Sequence, residues 1–171
     1  LQACPLTLTT EDYPPFNFTR DEGKTIEGKS TDVMKEVVKR TGTKTSFILY
    51  PWKRAYLMAQ ENQDTCVYST TRTETRERSF KWVGPLVTAT WILYAKADRP
   101  IAIKTLEDAK KYSLGGYQGD AKAAYLKEKG FIVDELCGLT FKISPKSLYL
   151  IYSILLSSQY FAKSSFAKTI S

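Results

Sequence analysis

Apolar and polar residues alternate through Leu6-Thr7-Leu8-Thr9, the period-two signature of a half-buried strand. Pro14-Pro15 ends it, because neither helix nor sheet ladder accepts the pair. Asp21-Glu22-Gly23-Lys24 reads as a turn. Apolar positions then fall at Val33, Met34, Val37 and Val38, a spacing that predicts a helix. Ser30 or Thr31 is placed to cap it, and Lys39-Arg40 before Gly42 marks its end. Thr45 to Tyr50 is rich in β-branched and aromatic residues and predicts a second strand. Lys53 to Gln60 follows as a helix with Ala55, Leu57, Met58 and Ala59 inward, and Thr65 to Tyr68 as a third strand. Strand, helix, strand, helix, strand over residues 6–68 requires crossover connections and a parallel sheet, so the predicted class is α/β.

The pattern changes near Gly84-Pro85. Leu86 to Ala95 is apolar but carries Thr88, Thr90 and Trp91, too short and too polar to span a membrane. It predicts a strand leaving one lobe and entering another. A second unit follows: Thr105 caps Leu106 to Lys111, and Ser113-Leu114-Gly115-Gly116 forms a strand. Asp120 then caps a helix over Ala121 to Lys129, and Phe131-Ile132-Val133 is a further strand. Beyond Cys137 this grammar fails, although Leu148 to Leu156 is apolar enough for a core helix or strand. The expected division is a first lobe over 1–87, lacking its C-terminal return segment, a crossing strand over 88–95 and a second lobe over 96–136. Residues 137–171 are an atypical tail, belonging to the second lobe or swapped onto a partner chain.

Composition adds a compartment and removes some chemistry. The formal charge is +7, but residues 137–171 hold four Lys, eight Ser and no Asp or Glu, so +4 lies in the tail and +3 in the first 136 residues. A basic chain raises nucleic-acid binding. Here Lys and Arg alternate with acids in Lys35-Glu36 and Glu74-Thr75-Arg76-Glu77-Arg78, as on solvated helix faces, so no nucleic-acid partner is expected. His is absent, which removes the commonest general base and metal ligand, and Cys4, Cys66 and Cys137 lie too far apart for a zinc knuckle. Neither metal nor cofactor is expected. Cys4 opens the first strand and Cys66 the third; in parallel neighbours they share a sheet end and can bridge, which implies an oxidising compartment and leaves Cys137 over. Two buried thiols are the alternative. Leu1 stands without Met, which points to processing or trimming, and Leu1-Gln2-Ala3-Cys4 resembles a lipoprotein cleavage box, making lipid anchoring at Cys4 the lesser alternative.

Candidate chemistry gathers where strands end. Glu11-Asp12-Tyr13-Pro14-Pro15-Phe16, Pro51-Trp52-Lys53-Arg54 and Ser69-Thr70-Thr71-Arg72-Thr73 each follow a strand, and open α/β sheets bind ligands outside the carboxyl ends of their strands. Tyr13 and Trp52 are placed to stack on a ligand, or else to fill the core. Ser69, Thr70 and Thr71 supply short hydroxyls. Arg76 has a fork suited to a carboxylate, with Arg54 and Arg72 as rival anchors; a surface ion pair with Glu74 or Glu77 is its alternative. Gly116-Tyr117-Gln118-Gly119-Asp120 sets backbone N–H groups at a helix start, either an anion site or an ordinary strand-to-helix turn.

Six segments, in order, then resemble one family. They are residues 10–18 (Thr-Glu-Asp-Tyr-Pro-Pro-Phe-Asn-Phe), Gly28-Lys29-Ser30-Thr31-Asp32-Val33, Pro51-Trp52-Lys53-Arg54-Ala55, Arg72-Thr73-Glu74-Thr75-Arg76-Glu77, Trp82-Val83-Gly84-Pro85 and Gly115-Gly116-Tyr117-Gln118-Gly119. Over residues 6 to about 135 the chain resembles extracytoplasmic solute-binding proteins of the polar amino-acid type, which serve ABC importers. The resemblance implies a periplasmic-binding-protein-like fold of two α/β lobes on a hinge, parallel-rich, with its C-terminal part incomplete here. It implies a small-molecule ligand (an amino acid or related carboxylate), an ABC transporter permease as partner, a periplasmic location and no enzymatic activity. Tyr13 and Trp52 hold the positions of its aromatic clamp, Ser69 and Thr71 of its hydroxyl contacts, and Arg76 of the arginine that grips the ligand carboxylate. Gly119 and Asp120 fall where the second lobe closes over that carboxylate; Ala121 departs from the hydroxyl residue usual beside them. Asp32 matches a structural acid.

Two other readings stand beside this one. A ligand-binding sensor module, or a self-associating remnant pairing as a homodimer through its uncovered lobe, needs no importer. An enzyme on the same scaffold, a dehydratase of a cyclic amino-acid precursor, needs Glu11 or Asp12 as its acid or base.

Overall fold

The computed structural model describes residues 5–94, 103–136 and 147–164 of the chain. The chain divides into two compact units, Leu1–Thr88 with Leu156–Ser171, and Ala89–Leu155.

In the first unit, β1 (Leu6–Thr10) is followed by a two-strand ribbon of β2 (Phe18–Thr19) and β3 (Ile26–Glu27), then α1 (Lys29–Thr41) and β4 (Thr45–Leu49). Next come α2 (Trp52–Glu61), β5 (Thr65–Thr71) and the single turn α3 (Glu74–Glu77), before β6 (Phe80–Tyr94) runs on into the second unit. β1 lies between β4 and β5 and is parallel to both, with Leu8 level with Phe47 on one side and with Cys66 on the other. The chain therefore leaves β1 toward one side of the sheet and returns to its other side. That reversal opens a crevice at the carboxyl ends of the strands, where α/β sheets hold ligands. Leu8, Met34, Cys66 and Tyr68 form the core, with Leu6, Val38, Phe47 and Leu86 packed against them. Cys66 is buried. The bridge to Cys4 falls on a residue outside those described.

Two details of the helices differ from expectation. Of the four apolar positions that marked α1 only Met34 is buried, while Val33 is 41% and Val37 45% exposed. On α2, Ala55 and Ala59 are buried and Leu57 is 39% exposed. Single-face periodicity places a helix but not the angle at which it meets the sheet. The start of α1 also lacks a side-chain cap: Ser30 and Thr31 are buried in its first turn. Its first N–H groups instead donate to carbonyls of the preceding loop, from Lys29 to Pro15 at 3.1 Å and from Ser30 to Phe16 at 2.9 Å.

The second unit holds a 3-10 turn over Leu106–Lys111, β7 (Ser113–Tyr117), α4 (Ala121–Glu128) and β8 (Val133–Leu136). Ala109, Leu114, Leu126 and Phe131 make its core, with Leu93, Ile103, Tyr112 and Val133 alongside. Thr105 and Asp108 form a reciprocal capping box at the 3-10 turn. The strand expected at Phe131 starts two residues later.

The apolar run near residue 150 belongs to a long strand, β9 (Ser147–Ser164). Its early residues pair parallel with β7, Ser147 opposite Ser113, and its later ones antiparallel with β5, Lys163 opposite Cys66 and Tyr160 opposite Thr70. The first unit thus has a strand from the far end of the chain on β5, where the sequence pattern offered no return segment. No short-range signal marks that pairing, because its partners are some ninety residues apart in sequence. No helix among the described residues is long and apolar enough to cross a membrane.

Candidate functional site

Three loops at the carboxyl ends of the first unit's strands carry the expected residues. The loop after β1 folds back on itself: the Tyr13 carbonyl accepts from Phe16 N at 2.9 Å and Asn17 N at 3.1 Å, and Asn17 Nδ2 donates to the Glu11 carbonyl at 2.5 Å. The half-buried Tyr13 ring stacks on Phe16, with centroids 5.7 Å apart and planes 9° from parallel. The loop is held from below by α1. Gly28, at φ +117°, approaches so closely that a Cβ there would collide with the Phe16 carbonyl.

At the end of β5 the ladder breaks. The register with β9 shifts between Val67 and Thr70, and Ser69 takes φ +61°, a left-handed conformation unusual for a residue with a side chain. Among the described residues, Ser69 Oγ and Thr70 Oγ1 are buried with no hydrogen-bond partner. Buried hydroxyls are ordinarily satisfied, and strain of this kind gathers at ligand sites. The Thr10 hydroxyl reaches the Tyr68 carbonyl at 3.4 Å, so Glu11 and Ser69 follow side by side on neighbouring strands.

The three candidate arginines are held differently. Arg54 lies over the Tyr50 ring, 4.1 Å from its centroid. Arg72 donates from Nε to Glu77 Oε2 at 2.6 Å, and its guanidinium lies 5.8 Å from the Trp82 centroid. That hydrogen bond holds the Glu77 carboxyl below its ordinary range. Arg76, on α3, donates from Nη1 to the Thr71 carbonyl at 3.2 Å, and its guanidinium lies 5.4 Å from the Trp52 centroid and 5.0 Å from that of Tyr56. Trp52 itself is only 7% exposed. The structure thus brings Trp52, Thr71 and Arg76 together, with Ser69 and Thr70 adjoining in sequence. It sets Glu11 and Tyr13 on the neighbouring strand's loop. Tyr56 was not singled out from the sequence; its one signal was its place four residues after Trp52, on the same helix face.

In the second unit, Gly119 takes φ +77° and Asp120 caps α4. Asp120 Oδ1 accepts from Lys122 N at 3.2 Å, and Oδ2 lies 3.3 Å from Lys122 Nζ. Both side chains are buried, and the ammonium lies 5.3 Å from the Tyr117 centroid. Where a free anion site was one reading, the chain's own carboxylate lies at the helix start. Lys122 was not singled out in the sequence, where it is one of several lysines on the predicted helix. Among the described residues no group of three His, Cys, Asp or Glu could hold a metal ion.

This order of elements defines a periplasmic-binding-protein-like fold. A histidine kinase sensor domain described as similar to periplasmic binding proteins superposes with TM-score 0.77 at 15% identity, over 97% of this chain and 85% of that one. An ancestral arginine-binding protein bound to arginine gives TM-score 0.79 at 18% identity, over 98% and 87%. Holo ArgBP from T. maritima gives TM-score 0.77 at 18% identity, over 94% and 83%. Comparison with curated proteins finds no match. The chain belongs to the bacterial extracellular solute-binding proteins, family 3, whose sequence model it matches over residues 6–168. That match continues well past residue 135, where the recognisable motifs stop.

Proposed function

We propose that the chain captures an amino acid, or a similar small carboxylate, in the periplasm and delivers it to the permease of an ABC importer. One observation carries the reading. Arg76 is seated on Trp52 and Tyr56 and tied to the Thr71 carbonyl, and the two residues before Thr71, Ser69 and Thr70, carry buried hydroxyls that lack partners among the described residues. A guanidinium fork matches a carboxylate in shape and charge, and the hydroxyls suit the ligand's remaining polar atoms. Tyr13 supplies apolar contact. Capture needs only this geometry and no covalent step, in keeping with a family of binding proteins.

Calorimetric titration of the full chain against the twenty L-amino acids tests it. Saturable binding of at least one member is expected, with Arg76→Met costing about 2–5 kcal/mol of binding free energy by removing one partner of a desolvated charge pair. Absence of binding by every member, or unchanged affinity in Arg76→Met, refutes it. The likeness to a histidine kinase sensor domain favours one second reading, in which the same capture feeds a signal instead of an importer. Ligand-dependent uptake by cells carrying the chain separates the two.

A further inference from the structure

The aromatic residues around Arg76 form a continuous row. Centroid separations are 5.5 Å from Trp52 to Tyr56, 5.1 Å from Tyr56 to Phe80 and 5.6 Å from Phe80 to Trp82. Phe80 is 3% exposed and meets Tyr56 nearly edge-on at 71°, so the half-buried Tyr56 ring is braced from behind. An arginine lies over each end of the row. Arg72, at the Trp82 end, is bound to a carboxylate, that of Glu77. Arg76, at the other end, lies over two rings at once, and the nearer is Tyr56.

We infer that Tyr56 is a positioning residue for ligand capture: with Trp52 it forms a two-ring seat that fixes the Arg76 guanidinium at the Thr71 carbonyl, at the end of the strand that carries Ser69 and Thr70. The inference rests on the capture reading above and names a part of that site which the sequence did not reveal. Attraction between a cation and a ring face fixes the charge without consuming any N–H donor of the guanidinium fork. The two groups sense each other: burial pushes the Tyr56 phenol up, and the Arg76 charge opposes that shift. The attraction acts through the ring, so the hydroxyl is dispensable.

The test uses full-length Tyr56→Leu and Tyr56→Phe. Affinities for each of the twenty L-amino acids are measured by calorimetry, and the arginine side-chain N–H resonances are recorded by NMR, with Arg76→Lys assigning the Arg76 signal. In the wild type the Arg76 signal is expected to be displaced by ring currents. It should stay displaced in Tyr56→Phe and move toward the other arginines in Tyr56→Leu. Binding should weaken about tenfold in Tyr56→Leu, equivalent to ~1.4 kcal/mol, and change less than about twofold in Tyr56→Phe. Wild-type affinity in Tyr56→Leu overturns the role of Tyr56 while leaving capture intact. Failure of the wild type to bind any amino acid overturns capture itself. Should Tyr56→Leu fail to fold, an undisplaced Arg76 signal in the wild type overturns the seat, and a displaced signal kept in Tyr56→Phe supports it.

Discussion

Gly28→Ala should be among the most damaging single-methyl changes in the first unit. Gly28 precedes α1 with φ 117° and ψ 166°, a region open in practice to glycine alone, where a side chain costs about 1–3 kcal/mol. The added Cβ would also meet the Phe16 carbonyl and lie 2.9 Å from Asn17 N, both rigid backbone. Relief requires moving the loop that carries Tyr13. That loop's Phe16 carbonyl accepts from Ser30 N at 2.9 Å and Thr31 N at 3.3 Å, and losing both bonds costs about 2 kcal/mol more. The expected total is ~3–5 kcal/mol, a large share of a domain stability of about 5–15 kcal/mol. Gly23→Ala is the control, because Gly23 also has positive φ, at +92°, yet a Cβ there meets nothing within 4 Å. It should lose only the conformational part. With a slope of about 2 kcal/mol per M, urea melts followed by tryptophan fluorescence should place the Gly28→Ala midpoint on the order of 2 M below wild type. Gly23→Ala should fall between the two. Coincident midpoints for the two variants would refute the collision argument.

Three further outcomes are expected. Ser69→Gly relieves a left-handed residue, a gain of about 1–2 kcal/mol, against ~0.5–1 kcal/mol for the freer unfolded chain. Thermal melts should therefore rise while amino-acid affinity falls, and a lowered melting temperature counts against strain at Ser69. Burial pushes the Tyr68 phenol up to about 12, above its ordinary 10, so the folded chain keeps a proton that the unfolded chain releases. Stability from this source is intact below pH 10 and declines by up to about 1.4 kcal/mol per pH unit between 10 and 12. Tyr68→Phe should flatten that decline in urea midpoints, while losing ~1 kcal/mol at neutral pH with the 3.0 Å bond to Thr31. Asp108 accepts from Thr105 N and Lys104 N, which hold its carboxyl below the ordinary range. Its contribution is present above the unfolded value and lost as pH falls through the lowered folded one. Amide exchange at Lys104 and Thr105 should therefore accelerate at the acid end in wild type and be fast throughout in Asp108→Asn; equal exchange in both would remove the capping box as the cause.

Much of the first unit was legible because its order is written locally. Alternation at Leu6-Thr7-Leu8-Thr9, β-branched runs and Gly42 after Lys39-Arg40 each act within a few residues, so β1, α1, β4, α2 and β5 follow from the sequence, while the two-residue strands β2 and β3 do not. What depended on distant partners did not. Val33 and Val37 fit a helical stripe, yet the sheet meets α1 along Met34. β9 gave only an apolar run, because its register is set by β5 and β7. At the candidate site, residue types at strand ends singled out Trp52, Ser69, Thr70, Thr71 and Arg76, which lie at one end of the sheet. Which ring faces which cation is a matter of packing, so the seat under Arg76 and the pairing of Lys122 with Asp120 had no signature in the sequence.

The antiparallel pairing of β9 with β5 also sets a schedule for synthesis. Residues 1–88 can assemble β4, β1 and β5 as they emerge, but the strand that covers β5 is not made until residues 89–155 have followed. At about 5–20 residues per second, the nascent sheet waits roughly 3 to 13 s with the outer flank of β5 bare. For that interval the growing chain offers an unpaired ladder to any neighbour, so helpers that shield emerging chains have most to do before Lys163 arrives opposite Cys66.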